Sequence, residues 1–437
     1  MAIPQNILQN VITYQKAELA WMLNSFVAIH KSNKKFENFN SRTANLGDTV
    51  SFDLAPRFIN YNGLVTTNQP SQQRTQTLAC SQATNISSGY SDQQFIFNVE
   101  EYLDRFGESA AKTIGTAVES DILANITSSV AINNPQDPNF GQLNYNSGPY
   151  RFYGDGRTAI NSFGQLAQIV ANFNDYGAAM AMPMAILPLA DIPAIVNSGL
   201  NQFALNRNNE LAIEWQLGRF SQTDWYTSNL LPIHIAGNVG QNKTTGDNIL
   251  TVVSTNDPTG ANITQITFSG ATDNDDDAIF YSDMFEFIDG VANQPNLRFL
   301  TFIGNRVSQQ PVQFRSTAQA GATNGGQVTV NIYPPLCAVA GQNQNINNNI
   351  AAGMKVQVMD SHRAGVLHSG NQFYLAMPQL PDVSPFESVR TMDPDSGCSI
   401  RHYWGSQLGQ NVRQYTRDCI WGSTLVPENS MRILFPL

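Results

Sequence analysis

The most informative stretch of the sequence is Asn371–Leu434, which reads NQFYLAMPQLPDVSPFESVRTMDPDSGCSIRHYWGSQLGQNVRQYTRDCIWGSTLVPENSMRIL. Apolar and polar residues alternate through Phe373–Met377, and a second alternating run passes through Ser399–Tyr403. Turn-forming residues at Asp393–Gly397 separate the two runs. Alternation with a period of two, interrupted by tight turns, predicts paired β-strands.

The composition favours a protein that packs against other proteins. The chain has 437 residues, enough for two or three modules with a large core, and 42% of them are hydrophobic. Only 13% are charged, against about 25% in ordinary soluble domains. Surfaces with few charges lose little hydration free energy when another protein covers them, so a large assembly is favoured over a monomer.

The charge balance argues against a specific DNA-binding protein. The formal net charge is −10, and the densest basic cluster is Lys31, Lys34 and Lys35. Duplex DNA binding needs a positive surface that releases counterions. An acidic surface would instead suit the wall of a container, because packaged DNA would not adhere to it.

Compartment signals are few. The N-terminus lacks a basic segment followed by an apolar one, and no run approaches the roughly 18 apolar residues that span a membrane. The four cysteines are widely separated, so we expect free thiols in a reducing cytoplasm.

The first third of the chain alternates between periodic and polar segments. Apolar residues at helical spacing predict an amphipathic helix over residues 5–30, and alternation predicts a strand over residues 46–58. Residues 66–94 are too polar to build a core, which predicts either disorder or a long two-stranded loop that orders against a neighbouring subunit. A long helix then reaches about residue 126.

The middle of the chain changes character near residue 240. Residues 131–161 resemble a loop, and the segment that follows mixes a helix at 163–174, a strand at 184–187 and a short helix at 190–199. We interpret that mixture as a compact α+β module. Beyond it, short apolar runs separated by Gly, Asn, Asp and Pro predict a small β-barrel or sandwich with an Asn-rich exit linker at 341–350. The predicted strands are Ile249–Val253, Ile263–Phe268, Phe285–Ile288, Phe299–Ile303 and Val328–Ile332.

Several motifs, in order along the chain, resemble the coat-protein family of short-tailed double-stranded DNA bacteriophages. They are Gly47-Asp48-Thr49-Val50 with Pro56-Arg57-Phe58; Val99-Glu100-Glu101-Tyr102 with Arg105-Phe106 and Ala110-Ala111; Leu217-Gly218-Arg219-Phe220 with Leu231-Pro232-Ile233-His234-Ile235-Ala236-Gly237; and Phe373, Leu375, Asp393, Pro394, Gly397, Ser399, Ile400, Arg401, Asp418 and Gly422. Two positions depart from the family pattern. Ser109 stands where the family has proline, and Ile235 stands where it has threonine.

The resemblance implies an α+β chain with the Hong Kong 97-type phage capsid fold and an inserted β-barrel-like domain. It implies an N-arm at 1–45 and a P domain at 46–160, which contains an E-loop near 59–97 and a spine helix near 99–127. An A domain at 161–240, an inserted β domain at 241–350 and return strands of the P and A domains at 351–437 complete the expectation. The N-arm and the E-loop are expected to lie over neighbouring subunits.

The function that the resemblance implies is structural. The chain would be a major capsid protein that self-assembles, as hexamers and pentamers, into the icosahedral head around phage DNA. Scaffolding protein and portal are the further expected partners, with DNA contacted non-specifically if at all, no membrane, and no catalytic, cofactor or metal site. The location would be the virion, after assembly in the host bacterial cytoplasm.

Other patterns that suggest chemistry are incomplete. Asp273, Asp275, Asp276 and Asp277 with Glu286 approach a calcium loop, but Phe280 occupies the position that needs glycine. Cys398 and His402 would lie about 13 Å apart on one strand face, too far to share a metal ion. Gly237–Thr244 misses the spacing of a phosphate-binding loop.

Two alternatives and one weaker hypothesis stay open. An encapsulin-like compartment shell would share the fold, and a β-rich glycan-binding surface protein would use exposed Trp and Tyr side chains. An enzyme is the weaker hypothesis, because the five histidines (His30, His234, His362, His368 and His402) lie in no recognisable hydrolase motif. A Ser-His-Asp triad stays open, since its members need not be adjacent in sequence.

Overall fold

A computed structural model describes most of the chain, and its residues divide into two compact units. The described residues are 16, 18–23, 25–34, 49–54, 56–59, 74–91, 107–127, 148–177, 182–197, 218–241, 248–292, 294–370, 372–382, 386–393, 397–406 and 412–437. The first unit draws on Met1–Phe52, Thr75–Leu123 and Phe373–Thr424; the second draws on Asp53–Arg74, Ala124–Gln372 and Leu425–Leu437.

Strands dominate the described residues. They are β1 (Thr49–Leu54), β2 (Arg74–Ala79), β3 (Gln82–Ser91), β4 (Phe152–Tyr153), β5 (Pro183–Pro188), β6 (Gly218–Phe220), β7 (Thr223–Ser228), β8 (Ile233–His234), β9 (Ile249–Thr255), β10 (Ile263–Ser269), β11 (Met284–Phe287), β12 (Arg298–Leu300), β13 (Val307–Pro311), β14 (Gln313–Ser316), β15 (Gln327–Leu336), β16 (Lys355–Val358), β17 (His362–Ser369), β18 (Phe373–Ala376), β19 (Glu387–Met392), β20 (Ser399–Ser406), β21 (Val412–Leu425) and β22 (Ser430–Pro436).

Helices are fewer. They are α1 (Val27–Lys31), α2 (Glu108–Ala124), α3 (Phe163–Asp175), α4 (Ile192–Asn197) and α5 (Asn238–Gln241), with single 3₁₀ turns at Leu189–Asp191 and Pro427–Asn429. The α+β class expected from the sequence is therefore confirmed. Of the predicted spine helix at 99–127, the part at 99–106 lies outside the described residues.

A five-stranded sheet organises the first unit. Strands β18, β21, β20 and β19 follow one another, and β3 also pairs with β21. The β3–β21 pairing is antiparallel and runs from Val412 opposite Ser91 to Trp421 opposite Gln82. This part of the expected E-loop thus pairs with its own chain, because β21 is long enough to offer it a complete ladder of backbone groups, and its contact with a neighbour stays a prediction. Residues 60–73 and 92–97 of that loop lie outside the described residues.

The N-terminal segment also contacts its own chain. Glu119 of α2 accepts hydrogen bonds from the backbone amides of Ala28 at 2.9 Å and Ile29 at 2.8 Å. Asn33 forms a parallel bridge with Tyr374 of β18. The amides at the start of a helix have no acceptor within the helix, so the Glu119 carboxylate satisfies two of them and fixes where α1 begins relative to α2. The part from Ala28 to Asn33 is thus anchored on its own chain, and the expectation that the N-arm lies over a neighbour stays a prediction.

A seven-stranded sheet organises the second unit. Strands β4, β22, β17, β5, β7 and β6 follow one another, and β8 pairs with β17. Helix α3 begins with a capping box, in which Ser162 Oγ accepts from the Gln165 amide and Gln165 Oε1 accepts from the Ser162 amide. Its apolar face, including Ile169 and Phe173, joins the core formed with the sheet.

A closed barrel forms the rest of the second unit, with the strand order β10, β15, β14, β11, β16 and β9. Phe268, Phe285 and Phe314 fill its interior as nearly parallel rings, and the Phe285 and Phe314 centroids are 4.9 Å apart. The barrel confirms the predicted β-rich segment. Its last strand, β16, follows the Asn-rich stretch, so residues 341–350 are an internal connection and not the exit linker. Ile346 is fully buried there and bridges Phe299.

Candidate functional site

The family-like residues of the C-terminal strands have structural roles in the sheet. Arg401 of β20 lies opposite Asp418 of β21, and its guanidinium makes two hydrogen bonds to that carboxylate, one of them 2.9 Å long. A Cβ atom on Gly422 would collide with the carbonyl oxygen of Ala79. These positions therefore fix how strands approach one another.

Gly237, at the end of the Leu231–Gly237 motif, permits a close approach of two backbones. A Cβ atom there would lie 2.7 Å from the Ile279 Cα atom. The Gly237 amide also donates to Asp283 Oδ2 at 3.1 Å. The glycine thus lets the segment after β8 reach the loop before β11.

That approach assembles a buried polar group, which we call the junction cluster: His234, Ser282, Asp283, His362 and Arg432. His234 Nε2 lies 2.8 Å from Asp283 Oδ1, and the His234 and His362 rings have centroids 5.1 Å apart. Strands β8, β17 and β22 of the sheet supply three members, and the loop before β11 of the barrel supplies the other two. The cluster therefore links the barrel to the seven-stranded sheet.

Arg432 is the most connected member of the junction cluster. Its Nε and Nη2 atoms donate to the carbonyl oxygen of Ile126 at 3.1 and 2.9 Å. Its other donors reach the Ser282 carbonyl oxygen at 3.3 Å, Ser282 Oγ at 2.7 Å and His362 Nε2 at 3.4 Å. Because His362 Nε2 accepts this bond, its Nδ1 carries the proton and donates to the Asp360 carbonyl oxygen 2.7 Å away.

Burial sets the protonation of the junction cluster. It raises the pKa of Asp283 to about 7 and lowers that of Arg432 to about 9. The pKa values of His234 and His362 fall well below 6.5 because both rings are buried and face the Arg432 charge. Both imidazoles are consequently neutral at pH 7.

The junction cluster does not have the geometry of a hydrolytic triad. The Ser282 hydroxyl accepts from Arg432 instead of donating to a histidine, and Ser282, Asp283, His362 and Arg432 are fully buried. A nucleophile must reach its base and its substrate. Within the described part of the chain, the junction cluster therefore acts as a structural brace, which holds the barrel against the seven-stranded sheet.

A second buried polar cluster lies in the first unit. Arg417 donates from Nε and Nη2 to the two carboxylate oxygens of Glu18, each at 2.9 Å. The His402 Nδ1 atom lies 2.7 Å from the Tyr415 hydroxyl, and burial lowers the His402 pKa to about 3. This cluster ties the N-terminal segment to β20 and β21.

The acidic residues of the suspected calcium loop are occupied by protein donors or lie apart. Asp275 Oδ1 accepts from Asn238 Nδ2 at 2.8 Å, and Asp277 Oδ1 accepts from Gln319 Nε2 at 2.8 Å. Glu286 lies on β11, where it accepts from Gln313 Nε2 at 2.6 Å. Over the described ranges, no group of three or more His, Cys, Asp or Glu side chains is arranged to hold a metal ion.

The remaining candidate motifs are also part of the framework. All four cysteines are buried free thiols, and burial raises the pKa of Cys419. In the suspected phosphate loop, the amides of Asn238 and Val239 donate to the carbonyl oxygens of Asp277 and Ala278. Residues 242–247 lie outside the described ranges. Within the portion of the chain that the structure covers, no helix is long and apolar enough to cross a membrane.

Three exposed apolar side chains, which we call the apolar hairpin, are Ile303 in the β12–β13 connection, Val307 at the start of β13, and Phe58, which follows Arg57 in sequence. Their side chains are 56%, 50% and 58% exposed. Arg57, the residue before Phe58, contacts the β12–β13 connection: its guanidinium lies 5.4 Å from the Phe302 ring centroid and donates to the Thr301 carbonyl oxygen. Grouped exposed apolar side chains are typical of protein-binding surfaces.

Comparisons with known proteins find similarity only at the level of structure. No protein-family model and no curated protein matches the chain. The capsid of Ralstonia phage GP4 is similar over 94% of this chain and 91% of its own, with 9% identity and a TM-score of 0.46. The capsid of an empty GTA particle is similar over 94% and 89%, with 8% identity and a TM-score of 0.40. A virus-like particle from Pyrococcus furiosus is similar over 96% of this chain and 97% of its own, with 5% identity and a TM-score of 0.37.

Sequence reasoning missed the junction cluster. Its first and last members, His234 and Arg432, lie 198 positions apart in the sequence, and no local pattern links the five residues. One signal was available: Arg432 interrupts the apolar run of β22, and a charge inside a buried strand needs partners. The identity of those partners follows only from the fold.

Proposed function

We propose that this chain is a major capsid protein with the Hong Kong 97-type fold, which self-assembles into an icosahedral shell around phage double-stranded DNA. The observation that carries the proposal is the way the barrel joins the sheet. Strands β8 and β17 are paired, with His234 opposite His362, although the whole barrel lies between them in sequence. The motif order resembles a capsid chain in which an extra domain enters at this point.

The proposed domain map follows the sequence expectation with one revision. We assign an N-arm to residues 1–45, a P domain with E-loop and spine helix to 46–160 and an A domain to 161–240. The inserted domain would run from 241 to the end of β16 at Val358, and return strands would complete the P and A domains. Expected partners are further copies of the chain in hexamers and pentamers, scaffolding protein, portal and non-specifically contacted DNA, with assembly in the host cytoplasm.

The chemistry of the described residues fits a structural role. The two clusters of ionisable side chains are buried in the framework, and their hydrogen bonds go to backbone carbonyls, carboxylates and neighbouring side chains. A protein that works by repetition needs shape and contact surfaces, and many weak contacts gain strength through symmetry. The apolar hairpin offers one such surface, which we assign to contacts between copies.

Assembly can be tested by expressing the full chain alone and together with a scaffolding protein, and then imaging the products by negative-stain electron microscopy. Closed shells or tubular polyheads are the expected products. Monodisperse single chains under both conditions, measured by light scattering, would overturn the proposal.

A matched pair of variants tests the assigned surface. Val307→Asp places a charge within the apolar hairpin, so it should reduce shell yield by about tenfold or more, because an interface cannot bury an unpaired charge cheaply. Val253→Asp is the control, since Val253 is 37% exposed on β9 of the barrel. Circular dichroism must show both variants folded. Equal shell yields from the two variants would show that the apolar hairpin is not part of the interface, and the capsid proposal would still stand.

A further inference from the structure

We propose that the junction cluster is an acid-sensitive latch that holds the barrel on the seven-stranded sheet and releases it as the pH falls. The proposal concerns conformational control within one chain and does not depend on the capsid assignment. It starts from placement: two histidines and an arginine on the sheet meet Ser282 and Asp283 of the barrel loop within hydrogen-bonding distance.

One bond of the closed latch requires a neutral imidazole. His362 Nε2 accepts from Arg432 Nη1 at 3.4 Å, so a proton on that nitrogen would remove the bond and bring two positive charges together. His234 lies 5.1 Å from His362, centroid to centroid, so protonation of both rings adds a third charge to the same buried space. Like charges at these distances repel strongly where water is excluded.

The groups that surround the two histidines set the sign of the response. Those acting on the histidines are Asp283 on the barrel loop, Arg432 on β22 and the Asp360 carbonyl before β17, while Arg315 on β14 and Tyr281 on the barrel loop act on Arg432. Asp283 is the only carboxylate in contact with either imidazole in the described part of the second unit. Because burial raises its pKa to about 7, Asp283 holds a proton in the closed latch below that pH, and opening releases this one proton against the two that the histidines take up.

Proton linkage gives the expected slope. Each histidine has a depressed pKa when the latch is closed and its ordinary value near 6.5 when open, so opening takes up two protons below pH 6.5. Asp283 has a raised pKa when closed, so opening releases one proton between about pH 7 and its ordinary value of 3.8. The net uptake is one proton, and the opening equilibrium should rise up to about tenfold per pH unit as pH falls below 6.5.

Hydrogen exchange measured by mass spectrometry can follow this opening in the full-length unassembled subunit. The reporting peptides would span residues 234–241 and 278–287, whose amides include those of Gly237 and Phe280 bonded to Asp283. Protection factors, corrected for intrinsic exchange, would be compared at pH 6.5, 6.0, 5.5 and 5.0. We expect protection in these peptides to fall with pH while peptides from β15 in the barrel stay protected.

Three variants give the test distinct outcomes. His362→Gln leaves one histidine against Asp283, so the slope should fall to about zero. Asp283→Asn removes the compensating group, so the slope should steepen to about hundredfold per pH unit. If one variant fails to fold, the other still decides, because their predicted slopes move in opposite directions.

His368→Gln is the matched control. His368 is fully buried on the same strand, outside the junction cluster, and burial lowers its pKa to about 4. Local opening should leave its environment intact, so this variant should keep the wild-type slope. A flat wild-type profile, or a slope that His368→Gln removes as effectively as His362→Gln, would overturn the latch.

Discussion

Replacing Arg432 by Met should destabilise the second unit severely. Met keeps much of the volume and length of the side chain but removes all of the donors. Two buried carbonyl oxygens, those of Ile126 and Ser282, would lose the guanidinium that satisfies them. Each unsatisfied buried acceptor costs about 1–3 kcal/mol.

The net effect is smaller than the sum of lost bonds. Folding the wild-type chain removes the Arg432 charge from water, and Met removes that desolvation cost. The Ile126 and Ser282 carbonyl oxygens and His362 Nε2 stay behind without their donor, each at a cost of about 1–3 kcal/mol. We therefore expect the free energy of unfolding to fall by about 3–5 kcal/mol.

Arg363→Met is the control for size and charge. Arg363 lies on the neighbouring β17 and makes two hydrogen bonds to Asp191, at 3.1 and 2.7 Å, but its side chain is 29% exposed. Water can replace those bonds, so the loss should stay below about 1 kcal/mol. Urea denaturation of the unassembled subunit, followed by circular dichroism, measures both. A loss for Arg432→Met below about 1 kcal/mol, or equal to that of Arg363→Met, would refute the assignment of the junction cluster as a brace.

Three further changes test other parts of the fold by the same urea assay. Phe314→Ala should cost about 3–5 kcal/mol, since it empties the centre of the aromatic stack in the barrel; a loss under about 1 kcal/mol would contradict that packing. Gly422→Ala should cost about 2 kcal/mol or more because its Cβ meets the Ala79 carbonyl, and an unchanged midpoint would show that the strands lie farther apart. Replacing Ser221-Gln222 by Asn-Gly should stabilise by about 0.5–1 kcal/mol, since both residues have positive φ, and a loss of stability would argue against that turn.

The alternating pattern of the sequence predicted that a β-rich domain exists, but it did not predict every strand of the barrel. Strands with apolar residues at every second position, such as β10 and β15, were recognised because their inward faces are regular. The strand β14 was missed, since its four residues include buried Gln313 and Arg315 and its pattern does not alternate. Polar residues buried by tertiary partners defeat a rule that equates polarity with exposure.

For the N-terminal segment, too, the sequence pattern did not identify the tertiary partner. Its helical periodicity indicated an apolar face but could not say which surface covers it. Glu119, distant in sequence, supplies the answer by accepting the amides of Ala28 and Ile29. A pattern along one element predicts that a partner exists, whereas the identity of the partner depends on how the rest of the chain folds.

Burial of charge links the interior to the character of the surface. Among the described residues, the buried cations and anions are equal in number: Arg151, Arg315, Arg417 and Arg432 against Glu18, Glu119, Asp283 and Asp360. Burial raises the pKa of Glu18, Glu119 and Asp283, so these acids do not outweigh the four arginines, and the formal net charge of −10 is carried by the remaining residues. An excess of negative charge attracts cations and repels nucleic acid. The four buried arginines donate hydrogen bonds or pack on aromatic rings inside the fold, so they cannot contact a polyanion, which agrees with the proposed role of a shell that does not adhere to DNA.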